Sequence, residues 1–266
     1  MRRIFLSLRL IWEEALLSYK ALFSWLEPRA FIMLQVIQPM FEFTFFVFIA
    51  LFFMGPERAQ FAAVGNAFRL VSVGSIWGLI SSFRQERYSG TLKFVIGTPT
   101  PKLLVFLGRS FMHVLDSLFA VFMGLIYARL FFGVDFASAN WGGLVLSIFS
   151  VVFSMLSFGT IFSALGLVMR DVNLLMNSVY ALFIVFCGVN FPISYLPDFL
   201  RPIGQALPLT HGLTAARALI QGAQTSSVLA QLGLEILIGG IYLLLGLGLF
   251  IWMESTARKN ASLDLY

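Results

Sequence analysis

The chain runs to 266 residues, of which 59% are hydrophobic and 12% charged, with a formal net charge of +5 and a mean hydropathy of +0.89. Soluble domains hold about 45–50% apolar and about 25% charged residues, so this composition excludes a soluble fold and requires an integral membrane protein. The single cysteine, Cys187, excludes an intramolecular disulfide and a cysteine-built metal site.

In chain order, Arg2 to Arg29 comes first. Its apolar positions Ile4, Leu8, Ile11, Trp12, Ala15, Tyr19, Leu22, Phe23 and Leu26 recur at three- and four-residue steps, with Arg9, Glu13, Ser18 and Lys20 between them. That pattern predicts an amphipathic helix in the membrane interface over 1–29. Glu13 and Glu14 break any continuous hydrophobic region of a signal peptide.

Six apolar stretches follow, each long enough to cross a bilayer core of about 30 Å: Ala30–Met54, Phe61–Phe83, Leu103–Phe132, Trp141–Met169, Val172–Phe191 and Val228–Met253. The expected fold is therefore an all-α integral membrane protein with six transmembrane helices, forming one transmembrane domain over 1–266. Orientation follows from Lys and Arg. A cytoplasmic N-terminus places Arg2, Arg3, Arg9, Lys20, Arg29, Arg84, Arg87, Lys93, Lys102, Arg170, Arg258 and Lys259 inside, against Arg58, Arg129, Arg201 and Arg217 outside. Both termini then lie in the cytoplasm. The positive charge reports topology and contact with anionic membrane lipid, and no basic patch interleaved with exposed aromatics suggests nucleic acid.

Between the second and third spans lies a polar connector, 84–101. It holds Arg84, Glu86, Arg87 and Lys93 within ten residues, and Gly90, Pro99 and Pro101 give it definite turns. Such a segment sits in water, either as a plain solvated turn or as a surface gripped by a soluble partner. The outer connection, 192–227, is of another kind. It is apolar enough to stay in the membrane but is cut by Pro192, Pro197, Pro202 and Pro208. No piece of it spans, and broken segments at membrane depth need protein or a watery cavity to satisfy their backbone. Two short re-entrant or interfacial helices are expected there, over Pro197–Gln205 and Leu209–Gln221.

Ionisable residues inside spans are costly and call for partners. At about 1.5 Å per residue from the inner end, Glu42, Arg69 and Asp116 all lie roughly 18–21 Å deep. The expectation is that Arg69 is neutralised by Glu42 or Asp116, tying the first three spans together. Arg109, His113 and Asp116 share one face of the third span. Trp77 and Tyr180, standing among small residues, are candidates for lining a cavity. Gly159, Gly166, Gly239, Gly240, Gly246 and Gly248 are expected to permit close helix packing. No Gly-Lys dipeptide occurs, so the phosphate-binding loop of ATPases is absent. His113 and His211 are the only histidines, which argues against a catalytic metal.

Two motifs resemble those of type-2 ABC exporter permeases. Glu86-Arg87-Tyr88-Ser89-Gly90-Thr91-Leu92 followed by Thr98-Pro99 is similar to that family's cytoplasmic coupling loop. Phe191-Pro192-Ile193-Ser194-Tyr195-Leu196-Pro197, then Leu207-Pro208-Leu209-Thr210-His211, then Ala216-Arg217-Ala218-Leu219 and Gly222 is similar to its outer connection. The resemblance covers essentially the whole chain. It implies a permease subunit that pairs with a second copy or a sister chain and with two ATP-binding subunits, in a bacterial or archaeal inner membrane. It also implies export of an amphipathic, lipid-linked, polysaccharide or drug-like substrate. This chain would bind no cofactor, ATP and Mg belonging to the ATPase. Arg84, Glu86, Arg87, Gly90, Thr91 and Pro99 would couple to that ATPase, and Pro192, Pro197, Pro208, His211 and Arg217 would belong to the outer segment. The competing readings are an ion-coupled transporter or channel using Glu42, Arg69 and Asp116, and a membrane-embedded lipid enzyme, which should show clustered acids and histidines that this chain lacks.

Overall fold

A computed structural model of the protein describes residues 32–80, 102–166 and 172–259. The expected interface helix (1–29) and polar connector (84–101) lie outside the described residues. Within them, all regular structure is helical. Helix α1 is Gln38–Met54, entered through a π-helical turn at Met33–Ile37. Helix α2, Pro56–Ser72, continues through a second π-helical turn, Val73–Trp77, to Ile80. There follow α3 (Lys102–Phe132), α4 (Trp141–Gly166), α5 (Val172–Phe186), α6 (Arg201–Ala206), α7 (Thr210–Ile220) and α8 (Thr225–Lys259).

Four helices are long and apolar enough to cross a membrane: Pro56–Ile80, His113–Phe132, Trp141–Leu165 and Thr225–Met253. Gln38–Met54 and Met176–Phe186 are apolar but shorter among the described residues, so the structure supports four of the six expected spans by length. Boundaries also move, among them the start of the second span, the end of the fifth and the start of the last, now Thr225. The second span starts at Pro56 instead of Phe61, because Gly55 alone makes the turn from α1, at φ +86°, and Pro56 opens the next helix. The fifth helix ends at Phe186, five residues early, and the chain runs on through Gly188 at φ +71° into a 3₁₀ turn at Ile193–Tyr195.

Helix α2 is the centre of the fold. Its sequence supplies small side chains at Ala59, Ala62, Ala63, Gly65, Ala67 and Gly74, all buried, so neighbours approach its backbone closely. It packs on α1 and α3 along its length and touches α4, α5 and α7. A second tight contact joins α4 to α8. Gly239 lies against the Cα of Ser154 and the ring of Phe153, and Gly246 against Thr160. Gly159 meets α2 at Ser75 and Leu79 in the same way. A Cβ placed on Gly240 or Gly248, in contrast, would have nothing within 4 Å, so these two do not serve packing among the described residues. One residue along a helix is a rotation of about 100°, so adjacent glycines face different ways.

The two expected outer helices exist with shifted bounds, α6 at Arg201–Ala206 and α7 at Thr210–Ile220. An 11-residue helix is about 16 Å long, too short to cross. The α3–α4 connection is sewn to the end of α7. Asn140 caps α4 by accepting from Gly143 N (3.2 Å), its own N–H donates to Leu219 O (2.9 Å), and its Nδ2 donates to Ala223 O (3.2 Å).

Candidate functional site

Two polar assemblies stand out in this apolar bundle. The first lies mid-way along α1 and α2. Arg69 of α2 is fully buried, and its Nη1 donates to Glu42 Oε2 of α1 at 3.3 Å while its Nε donates to Asn66 Oδ1 at 3.0 Å. Asn66 donates in turn to Ala62 O (2.9 Å) and to Asn190 Oδ1 (2.8 Å). The Tyr180 hydroxyl of α5 donates to the same Glu42 oxygen at 2.5 Å. The guanidinium also lies over the rings of Tyr180 (4.9 Å) and Phe46 (5.4 Å). A buried cation is thus held by one carboxylate, one amide and two aromatic faces, which joins α1, α2 and α5. The carboxylate is different in kind, because its side chain remains 46% exposed.

Asp116 does not join this group. It lies on α3 beside His113, Nδ1 to Oδ2 3.4 Å, and Glu42 is the acidic partner of Arg69 among the described residues. Counting depth along spans brings residues to one level but leaves their azimuth open. A charge exchange separates the two pairings. Arg69→Glu alone is expected to abolish most monodisperse protein in detergent. Adding Glu42→Arg should return roughly half of it or more, and Arg69→Asp with Asp116→Arg should return none. Equal recovery by both exchanges, read by size-exclusion profile, would show the Glu42 contact to be incidental.

The second assembly lies where α7 meets α4 and α8. Glu235 of α8 is buried inside an otherwise apolar helix. It accepts from the backbone N–H groups of Leu209 (2.7 Å), His211 (3.1 Å) and Gly212 (2.9 Å), and from the Ser154 hydroxyl of α4. These N–H groups open α7, so a carboxylate from a neighbouring helix caps it and meets the positive end of its dipole. Leu209 itself sits at φ +83°, the left-handed region, which turns its N–H inward to that carboxylate. The same turn is secured by Ser147 Oγ donating to Gly212 O (2.7 Å) and Thr210 Oγ1 to Gly204 O (2.6 Å).

Arg217 grips from the other end of α7. Its Nη1 donates to Gly188 O (2.8 Å) and its Nη2 to Val189 O (2.9 Å) and Phe61 O (3.0 Å), while the guanidinium covers the Phe61 ring at 3.4 Å. Burial pushes its pKa down to about 9, which still leaves it a cation at neutral pH. The chain leaves α5 in a non-helical path, and Arg217 satisfies the Gly188 and Val189 carbonyls on it, while Phe61 O belongs to helix α2. Gly65 of α2 makes room: a Cβ there would lie 1.9 Å from Val189 O and 2.6 Å from Arg217 Nη2.

The remaining expected residues fall in recognisable places. Pro192 precedes the 3₁₀ turn, Pro197 O accepts from Leu200 and Arg201 N–H, and Pro208 O receives the buried Cys187 thiol at 3.5 Å. His211 adds Nε2 to Gln205 O at 2.9 Å to its backbone bond with Glu235. Arg84, Glu86, Arg87, Gly90, Thr91 and Pro99 lie outside the described residues, as does the side chain of Trp77. Sequence reasoning passes over Glu235. The signal is present, since it is the single acidic residue between Val228 and Trp252 and meets the same criterion as Glu42.

Four helices long and apolar enough to cross a membrane, a connection broken into short helices, and polar groups buried between helices describe a helical membrane protein. The family described as ABC-2 family transporter protein matches residues 59–247, from the first turns of α2 through most of α8. The chain belongs to that family. It is also 27% identical over 206 residues to "Putative transport permease YvfS" of Bacillus subtilis (strain 168), covering 74% of this chain and 81% of that protein. As an ABC-2 permease it is a multi-pass membrane protein and a transport subunit of an ABC transporter, whose partner is an ATP-binding ABC subunit.

Proposed function

We propose that this permease exports an amphipathic, lipid-linked, polysaccharide or drug-like molecule from the cytoplasm, with six crossing helices, a second permease copy or sister chain, and two ATPase subunits. Both termini and the connector 84–101 face the cytoplasm of a bacterial or archaeal cell. ATP-driven closure of the ATPase pair reaches the membrane part through Arg84, Glu86, Arg87, Gly90, Thr91 and Pro99, and α6 and α7 roof the outer end as re-entrant helices.

The observation that carries the transport path is the exposure of Glu42. A carboxylate turned toward acyl chains at mid-depth costs several kcal/mol, so that face of α1 meets a watery passage or another protein surface instead. Asn177, exposed on α5 three residues before Tyr180, supports the same side. Surfaces with Leu130, Phe131, Leu244 and Ile251 exposed suit lipid. The ion-coupled alternative is weakened because Asp116 pairs with His113 and stands apart from Glu42 and Arg69.

The test is a mild-detergent pull-down of the full chain from its native membrane, with Glu86→Ala and Gly90→Trp beside the wild type. An ATPase bearing a phosphate-binding loop should co-purify with wild type and be lost or catalytically uncoupled in both variants. Recovery of the chain without any ATPase, or of the ATPase in equal amount and coupling with every variant, would end the assignment of 84–101 as the coupling loop.

A further inference from the structure

The rim of the mid-depth site has a polarity of its own. Both donors to Glu42, from Arg69 and Tyr180, use Oε2. Oε1 receives no hydrogen bond among the described residues, on a side chain that is nearly half exposed. The cation that balances Glu42 is shut away, since Arg69 is 0% exposed. Along the same face of α1, one and two turns toward the outer end, stand the exposed side chains of Phe45 and Ile49. Apart from the amides of Asn177 and Gln38, a molecule arriving at this level therefore meets, among the described residues, acceptors and ring faces: a carboxylate oxygen, the lone pairs of the Tyr180 hydroxyl and the Phe45 ring.

Such a surface selects by charge. An ammonium or other N–H-bearing cation supplies the donor that Oε1 lacks and finds an aromatic face beside it. A phosphate or carboxylate meets an exposed oxygen of its own sign, and the Arg69 guanidinium that would welcome it is buried behind Glu42. The geometry points to a binding site at Glu42 for an amine-bearing cationic amphiphile, its head group on Oε1 and its apolar part along Phe45 and Ile49. This deepens the export reading and rests on it for the path's direction. It narrows the substrate class, because polyphosphate-linked carriers would have to pass the exposed carboxylate with their charge against it.

Binding is measurable without an ATPase. The full-length permease in nanodiscs of zwitterionic lipid is titrated with ethidium, an amine-bearing planar cation, and in parallel with anilinonaphthalene sulfonate, an anionic amphiphile, each followed by fluorescence. Saturable ethidium binding is expected, weakened about tenfold or more by Glu42→Gln, intermediate in Glu42→Asp, and unchanged by Leu130→Gln on the lipid-facing side of α3. The sulfonate should be indifferent to all three. Should Glu42→Gln fail to give monodisperse protein, Glu42→Asp decides alone, by weakening ethidium or not. The site is overturned if ethidium shows no saturable binding, if it binds the Glu42 variants as it binds wild type, or if the sulfonate competes for it. Loss of this result with ATPase co-purification intact would remove the cation site alone. Loss of co-purification with this result intact would remove the exporter reading and leave the site.

Discussion

Replacing Glu235 with alanine is expected to lower the thermal unfolding midpoint of the detergent-purified permease by about 10 °C or more, given about 2–4 °C per kcal/mol for a chain of this size. The carboxylate is the shared acceptor of three backbone N–H groups and a serine hydroxyl, all in a region closed to solvent. Leaving buried donors without an acceptor costs about 1–3 kcal/mol each, and the left-handed Leu209 then loses the bond that holds it there. Glutamine retains one oxygen but turns an NH₂ toward donors at the other, so Glu235→Gln should fall between alanine and wild type. Aspartate, one methylene shorter, should resemble alanine. A midpoint for Glu235→Ala within about 2 °C of wild type, less than 1 kcal/mol, would mean that water or another side chain caps α7 and that the carboxylate is dispensable.

The second large effect is a coupled pair. Arg217→Ala removes the donors from three carbonyls, Gly188, Val189 and Phe61, at a cost of about 2–4 kcal/mol. Gly65→Ala should do nearly as much damage with one methyl group. Its Cβ would fall within 1.9 Å of the Val189 oxygen and 2.6 Å of the Arg217 nitrogen bound to it, so it displaces the very hydrogen bond that Arg217→Ala deletes. The two losses therefore overlap, and the double variant should be little worse than Arg217→Ala. Thermal midpoints of the wild type, both single variants and the double variant test this directly. Additive losses would show that the two residues act separately.

The long helices are legible because an apolar run of more than twenty residues suits a membrane span and little else, and α4 begins at Trp141 as the pattern predicts. The start of α2 is not. Glu57, Arg58 and Gln60 look like loop residues by polarity, whereas a proline at the first helical position and one positive-φ glycine suffice to turn the chain sharply. The Arg69–Glu42 contact is half visible, since both charges stand out in apolar sequence and only the rotation of each helix chooses between Glu42 and Asp116. Glu235 escapes notice because averaging over a strongly apolar span hides one residue. The grip of Arg217 could not be anticipated in detail, because its partners are backbone carbonyls that any sequence possesses and only the packing of the chain after Phe186 against α2 presents.

Helix α2 carries Asn66 and Arg69 in its middle and is the least apolar of the four crossing helices, yet almost all of it is buried. Such a segment partitions poorly into lipid alone, since one arginine at the centre of a helix costs about 2.5–3.5 kcal/mol during insertion. Gly55 is the whole connection to α1, which brings Glu42 and its neutralising charge to the same hairpin. Biogenesis should therefore proceed by entry of α1 and α2 as one unit, with the ion pair formed before either helix is released into the bilayer. Lengthening the Gly55 turn would trouble the nascent chain at the insertion machinery sooner than it would trouble the finished transporter.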